Sequence, residues 1–194
     1  MLNVIIPIGV TKSIEDNNYF NYPLLLKEVM GKALIEYVVE NITKIEDPKK
    51  ITFILNKEEC ERFHLDNTLK ILVSDCSIIK VKGNTSGAVC SILMGIDQID
   101  SDDELIIVNS DQIIDFNYNK ALFEFRSKKV DGGLLTFKSI HPRWSYVKVY
   151  EEKVIQTSEK NPISNIAIAG FYYFNKAKDF IEGSFRTIYS DDNL

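Results

Sequence analysis

The chain has 194 residues, 45% of them hydrophobic and 26% charged, with only 9 glycines and 5 prolines. That composition excludes disorder and low-complexity repeats, and it fits one globular domain that needs no disulfide or metal staple. The formal net charge of −5 argues against a partner held mainly through nucleic-acid phosphates, and no apolar run approaches the ~20 residues that a membrane span requires.

Met1-Leu2-Asn3-Val4 carries neither a basic region nor a small-residue cleavage site, so the start reads as a strand and not as a leader. The first strand is Val4-Ile5-Ile6-Pro7-Ile8. Residues 33–46 place Leu34, Ile35, Val38, Val39, Ile42 and Ile45 on one helical face, and Asp47-Pro48 ends that helix. A second strand follows at 51–55, a short polar helix at 57–64 and a third strand at 69–73. Residues 86–99 form a helix with Val89, Ile92, Leu93, Ile96 and Ile99 inward. Leu105-Ile106-Ile107-Val108 is a continuous apolar run of the kind covered on both faces by helices. Another helix spans 119–129. This alternation specifies an α/β protein with a mainly parallel sheet. After residue 130 the pattern changes to strands at 132–137, 146–150, 153–156 and 167–174, an antiparallel or mixed portion. A last helix, 175–189, turns Phe180, Ile181, Phe185 and Ile188 inward. Residues 190–194 carry no stop signal, and the second half of the domain is expected to be cut short there.

The cysteines Cys60, Cys76 and Cys90 are odd in number and form no C-x-x-C pair, so they read as reduced thiols of a cytoplasmic protein. His64 and His141 have no ligand spacing around them.

Ligands of an open parallel sheet bind beyond the carboxyl ends of its strands, so chemistry is sought there. The strand at 105–108 runs into Asn109-Ser110-Asp111. A carboxylate at that point can hold Mg²⁺, with a bound phosphate supplying further ligands, or it can cap a turn. Gly9 follows the first strand, where a phosphate-cradling loop would lie, but the G-x-G-x-x-G fingerprint is absent. Lys12 and Lys27 either neutralise phosphate or are solvated. In Lys82-Gly83-Asn84-Thr85-Ser86-Gly87-Ala88, Thr85 or Ser86 caps the next helix, whose N-terminus offers amides to an anion or a base edge. In the second portion lie Trp144-Ser145-Tyr146 and a segment holding Glu159, Lys160 and Asn165. These last three either hydrogen-bond sugar hydroxyls or form a surface pair worth under ~1 kcal/mol. Gly9, Thr85, Gly87 and Asp111 are expected to converge, with Glu159, Lys160 and Asn165 facing them.

As a set, four stretches resemble the sugar-phosphate nucleotidylyltransferase superfamily. Residues 23–36, Pro-Leu-Leu-Leu-Lys-Glu-Val-Met-Gly-Lys-Ala-Leu-Ile-Glu, resemble its PKPLIEVxGKPMIE segment. Thr85-Ser86-Gly87-Ala88 resembles TxGAA, residues 105–112 resemble the strand that ends in its metal aspartate, and Glu159-Lys160 with Asn165 and Gly170 resembles its sugar region. Residues 141–146, His-Pro-Arg-Trp-Ser-Tyr, resemble a branch found in capsule and surface-polysaccharide loci. The resemblance implies a single domain over 1–194 with a three-layer α/β/α Rossmann-like fold shared with GT-A glycosyltransferases. Residues 1–130 would be its nucleotide-binding half and 131–194 its acceptor-binding half. It implies Mg²⁺ as cofactor on Asp111, Lys12 and Asp111 as catalytic residues, and Gly9, Thr85, Ser86, Gly87 and Ser110 on the nucleotide. Lys27, Trp144, Tyr146, Glu159, Lys160, Asn165 and Gly170 would bind the acceptor. The implied partners are an NTP (CTP, dTTP or UTP) and a phosphorylated small molecule, with no nucleic acid and no membrane.

Two departures stand out. The family's G-x-G-x-R loop reads Gly9-Val10-Thr11-Lys12-Ser13-Ile14 here, and the lysine of its PK pair falls on Leu24. The family's second metal ligand is expected beyond Leu194. Three readings follow: a nucleotidyltransferase, a non-catalytic nucleotide- or sugar-binding relative, and a GT-A glycosyltransferase. For the third, the spacing Asp111 to Asp115 does not make a D-x-D.

Overall fold

The structure is a computed structural model that describes residues 1–9 and 22–190. Strand β1 (Leu2–Ile8) is followed by a 3₁₀ turn at Leu24–Leu26 and a small hairpin, β2 (Glu28–Val29) and β3 (Lys32–Ala33). Then come α1 (Leu34–Thr43), β4 (Lys49–Asn56), α2 (Lys57–Phe63), α3 (Leu65–Leu72), β5 (Ser77–Val81), α4 (Ala88–Leu93), β6 (Leu105–Val108) and α5 (Tyr118–Ser127). The second portion adds β7 (Gly132–Lys138), β8 (Tyr146–Tyr150), β9 (Lys153–Ser158), β10 (Ile166–Phe174) and α6 (Ala177–Ser190).

The eight-stranded sheet runs β5-β4-β1-β6-β10-β8-β9, with β7 also on β10. The strands β5, β4, β1 and β6 are mutually parallel, and β10 reverses direction against β6. The expected mainly parallel three-layer α/β architecture is present. β1 explains its form. Val4, Ile6 and Ile8 enter one core cluster with Ile35, Val38 and Ile42 of α1 and Leu122 of α5. Ile5, alternating with them, enters the opposite cluster with Ile92 of α4 and Phe180 of α6. A strand buried on both faces has to be apolar without alternation, and this is why the run reads as it does. Among the described residues no helix is long and apolar enough to cross a membrane.

Four sequence expectations are corrected. Residues 69–73 are not a strand. They close α3, and the third parallel strand is β5. Leu65 and Leu69, four apart, are both fully buried, while Ile71 is 83% exposed, so the period is helical. The long helix over 86–99 is broken. α4 stops at Leu93, and a 3₁₀ turn follows at Ile96–Gln98. A Cβ on Gly95 would lie 2.7 Å from the Ile79 Cδ1 and 2.9 Å from the Ile54 Cδ1, so the chain passes close to the sheet where it lacks a side chain. Val89 is exposed, not inward. Phe185 is exposed as well, and stacks on Tyr189 along the outside of α6.

At the amino edge of the sheet, Arg126 of α5 ties three segments together. Its Nε and Nη2 donate to Glu104, and Nη1 donates to Asp47 at 3.0 and 3.2 Å. The Tyr173 hydroxyl of β10 donates to the same Glu104 at 2.6 Å. Burial works to raise the Glu104 pKa, but the hydrogen bonds from Arg126 and Tyr173 outweigh it and hold the carboxyl below its ordinary value. A depressed carboxyl contributes stability that is present above its unfolded pKa, about 4.3, and lost as pH falls below it. Arg126→Met is expected to cost about 1–2 kcal/mol at neutral pH, since Glu104 keeps its partial burial but loses its cation. The loss should shrink as pH falls from about 4.3 through the lower folded-state pKa, below which Glu104 is protonated in both states. Urea titrations between pH 3 and pH 7 check both statements. Thr52, in the middle of β4, is 1% exposed, and its hydroxyl has no hydrogen-bond partner among the described residues. Thr52→Val, nearly the same shape, should therefore gain about 1 kcal/mol, read as a raised melting temperature.

Candidate active site

A cavity of about 620 Å³ lies at the carboxyl ends of the parallel strands. β1 contributes Pro7, Ile8 and Gly9, β4 contributes Asn56, the segment after β5 contributes Gly83, Asn84 and Thr85, and β6 contributes Asn109, Ser110 and Asp111. Gly87, Ala88 and Ser91 of the α4 turn close one side, and Leu24 and Leu25 close another. Strand order places β4 and β5 on one side of β1 and β6 on the other, so the connections diverge at the carboxyl end of the β1–β6 pair. That divergence leaves a crevice for a ligand.

Neutral polar side chains hold the rim. Asn56 caps α2, its Oδ1 accepting from the Glu59 N–H at 2.9 Å, and its Nδ2 donates to the Gly83 carbonyl at 3.0 Å. Ser110 Oγ donates to the Pro7 carbonyl at 3.1 Å and ties the end of β6 to the end of β1. The Thr85 and Ser91 hydroxyls lie 2.5 Å apart, each within reach of the Gly87 carbonyl. Neither Thr85 nor Ser86 caps α4, contrary to expectation. The cap position is Gly87, with no side-chain bond, because the Thr85 hydroxyl is engaged inside the first turn. Ser86 is exposed and stands outside the lining.

Asp111 is exposed at the cavity and has no ion pair among the described residues. It is the one ionisable side chain among the described residues of the lining. The described residues contain no group of three His, Cys, Asp or Glu able to enclose a metal. A lone, unpaired carboxylate beside neutral oxygen donors fits a hard cation such as Mg²⁺, which keeps waters and phosphate oxygens for most of its shell.

The structure brings Gly9, Thr85, Gly87, Ser110 and Asp111 together in this cavity. Lys12 lies outside the described residues. Lys27 is exposed beyond the 3₁₀ turn and is not part of the lining, whereas Leu24, where the resemblance would place a lysine, is.

Glu159, Lys160 and Asn165 are not lining residues either. Glu159 and Lys160 pair at 3.4 Å in the open, and Asn165 Oδ1 accepts from Lys138 Nζ at 3.3 Å. Trp144 meets Phe137 edge-on at 5.1 Å, with the Arg143 guanidinium over its face at 4.2 Å. Tyr146 is fully buried and its hydroxyl donates to the His141 carbonyl at 2.6 Å, so its ring belongs to the core and not to a cleft wall. Gly170 stands against the turn that carries Asp111, its carbonyl accepting from the Asn109 N–H at 2.8 Å.

Sequence reasoning missed Asn56, Asn109 and Tyr172. Asn56 and Asn109 carry the signal already used for Asp111, a polar residue just after a buried strand. Tyr172 of β10 has its pKa pushed up by burial, then by the charges of Asp111 and Glu159. One phenol thus feels a carboxylate from each half of the chain.

The profile of the family described as nucleotidyl transferase matches residues 21–183. The bifunctional protein GlmU of Buchnera aphidicola subsp. Schizaphis graminum is 28% identical over 169 residues, covering 85% of this chain and 33% of that protein. The chain therefore spans about a third of that relative's length. Among solved structures, a nucleoside-diphosphate-sugar pyrophosphorylase from Vibrio cholerae RC9 superposes with a TM-score of 0.78 at 23% identity, over 96% of this chain and 78% of the other. A candidate glucose-1-phosphate thymidylyltransferase from Bacillus anthracis, solved with sucrose, gives 0.75 at 20% identity, over 93% and 74%. These likenesses establish a shared fold.

The rim makes its own prediction. Asn56→Ala removes a helix cap and leaves the Gly83 carbonyl unbonded, so it should cost about 1–2 kcal/mol in chemical denaturation. Amide exchange should rise across residues 83–87 before the rest of the sheet.

Proposed function

The chain belongs to the nucleotidyl transferase family, and on that premise we propose that it couples an NTP to a phosphorylated sugar or similar small phosphate and releases pyrophosphate. A phosphate oxygen of the acceptor attacks the α-phosphorus. One P–O bond forms there, and the bond to the departing pyrophosphate breaks. The protein's task is positioning and charge stabilisation, since no covalent intermediate on a side chain is needed.

The observation that carries this reading is the cavity at the β1–β6 divergence, where Gly9 and Asp111 meet the 83–87 segment. The bare backbone at Gly9 and Gly83–Gly87 lets a nucleotide approach closely, and Asp111 stands at its open side. Bound at Asp111, Mg²⁺ would neutralise phosphate charge and polarise the reacting phosphate. Lys12 supplies the remaining positive charge as a point charge, without the fork of an arginine. The acceptor lies toward Glu159, Lys160 and Asn165, beyond Tyr172. CTP, dTTP and UTP are the nucleotides to test, and the resemblance of residues 141–146 supports a role in surface-polysaccharide precursors. Unpaired Cys60, Cys76 and Cys90 support a cytoplasmic setting.

A second reading has an observation of its own. No lysine or arginine lines the cavity among the described residues, and Leu24 occupies a wall position where the family resemblance implies a lysine. That favours a relative that binds nucleotide without turning it over.

One assay separates the two: pyrophosphate release from each NTP, with Mg²⁺, against a panel of phosphorylated sugars. Release from one pair supports the transferase. A nucleotide-induced thermal shift with no release from any pair supports the binding protein. Asp111→Asn keeps the side-chain shape and removes its charge, so release should fall by at least about 10²-fold. Its melting point should stay near wild type, because exposed substitutions cost within about 0.5 kcal/mol.

A further inference from the structure

β10 is interrupted where it passes the end of β6. Its register with β7 shifts between Ile168 and Tyr172, and Gly170, inside the break, has φ +72°. The Gly170 carbonyl accepts from the Asn109 N–H at 2.8 Å. A Cβ on Gly170 would fall 2.5 Å from Gln112 Oε1, 2.7 Å from Asn109 Nδ2 and 2.9 Å from Asn109 Cγ. Asn109 and Gln112 bracket Ser110-Asp111, so both ends of that turn rest on one glycine. On its other side the turn is tied to β1 through Ser110 and the Pro7 carbonyl.

We infer that Gly170 is a positioning residue: its bare, left-handed backbone is the seat that fixes the 109–112 turn and thereby aims Asp111. This assigns Gly170 to the Asp111 turn and not to direct contact with the acceptor, and it rests on the reading of Asp111 as the metal-holding carboxylate. A side chain at 170 has to push the Asn109 and Gln112 side-chain amides aside and adopt a strained left-handed φ, and on this inference the turn yields with them and re-aims Asp111. A shift of about 1 Å in a reacting group is enough to cost up to about 10²-fold in rate.

The test compares wild type, Gly170→Ala, Gln112→Ala and the double variant, all in the full chain. Two quantities are read. One is the Mg²⁺ concentration for half-maximal pyrophosphate release. The other is the thermal shift produced by CTP, dTTP or UTP with and without Mg²⁺. Gly170→Ala should raise the half-saturating Mg²⁺ by about tenfold or more and lose the Mg²⁺-dependent part of the thermal shift, keeping the Mg²⁺-independent part. Gln112→Ala should raise it by about threefold. Because the added Cβ meets Gln112 and Asn109 alike, removing Gln112 relieves part of the crowding, so the effects should couple and the double variant should be less impaired than Gly170→Ala.

Wild-type Mg²⁺ dependence in Gly170→Ala overturns the inference. So does a double variant as impaired as Gly170→Ala, which would mean that Gln112 is no part of the seat. If Gly170→Ala does not fold, Gln112→Ala decides: a threefold rise upholds the seat and no change overturns it. A wild type inert in both readouts removes the underlying reading of Asp111 and the inference with it, and is told apart because the unaltered chain itself fails.

Discussion

Every part of the molecule depends on the burial of β1. Its backbone is paired on both edges, with β4 and β6, and its side chains enter core clusters on both faces. A strand with no exposed face or edge leaves its chain direction as the only free choice, and the three other strands of the parallel block take the same one. The strand ends then arrive at one edge together: Gly9, Asn56, Gly83 and Asn109–Asp111. The cavity is a consequence of that alignment and of the reversal of strand order beside β1. No single loop creates it.

The supports of the site are electrically neutral. Asn56, Asn109, Gln112 and Ser110 bond or pack against carbonyls and a bare glycine, and none brings a charge. Buried backbone groups at strand ends must be satisfied, and an amide can satisfy a donor and an acceptor at once. This leaves the electrostatic character of the described cavity to Asp111. Within the described lining a polyanion would meet a like charge at Asp111 and no opposing lysine or arginine.

The second half is organised differently. β7, β8, β9 and β10 are antiparallel, and β9 is exposed along nearly its whole length. Its local sequence signals mix structure with recognition. Tyr146 lies in the core, whereas Glu159 and Lys160 stand in solvent. Tyr172 is the electrostatic meeting point of the two halves: burial raises the pKa of its hydroxyl first, then the charges of Asp111 and Glu159.

The amino-acid sequence by itself determined the elements whose residues are buried on both sides. β1, β4 and β6 are legible because continuous apolar runs admit few other placements, and α1 is legible from its period of 3.6. It also placed Gly9 and Asp111 at strand ends, since each follows such a run, and Thr85 and Gly87 at the start of a helix. Short or half-exposed segments were not legible. Leu69–Val73 is apolar enough for either period, and only the packing of Leu65 and Leu69 under the sheet made it helical. The close passage of Gly95 by Ile54 and Ile79, residues 41 and 16 positions away in the chain, was not legible either. The approach of Gly170 to Asn109 and Gln112 was equally out of reach, because a glycine's use is set by what comes near it, and that approach exists only once β10 is laid against β6.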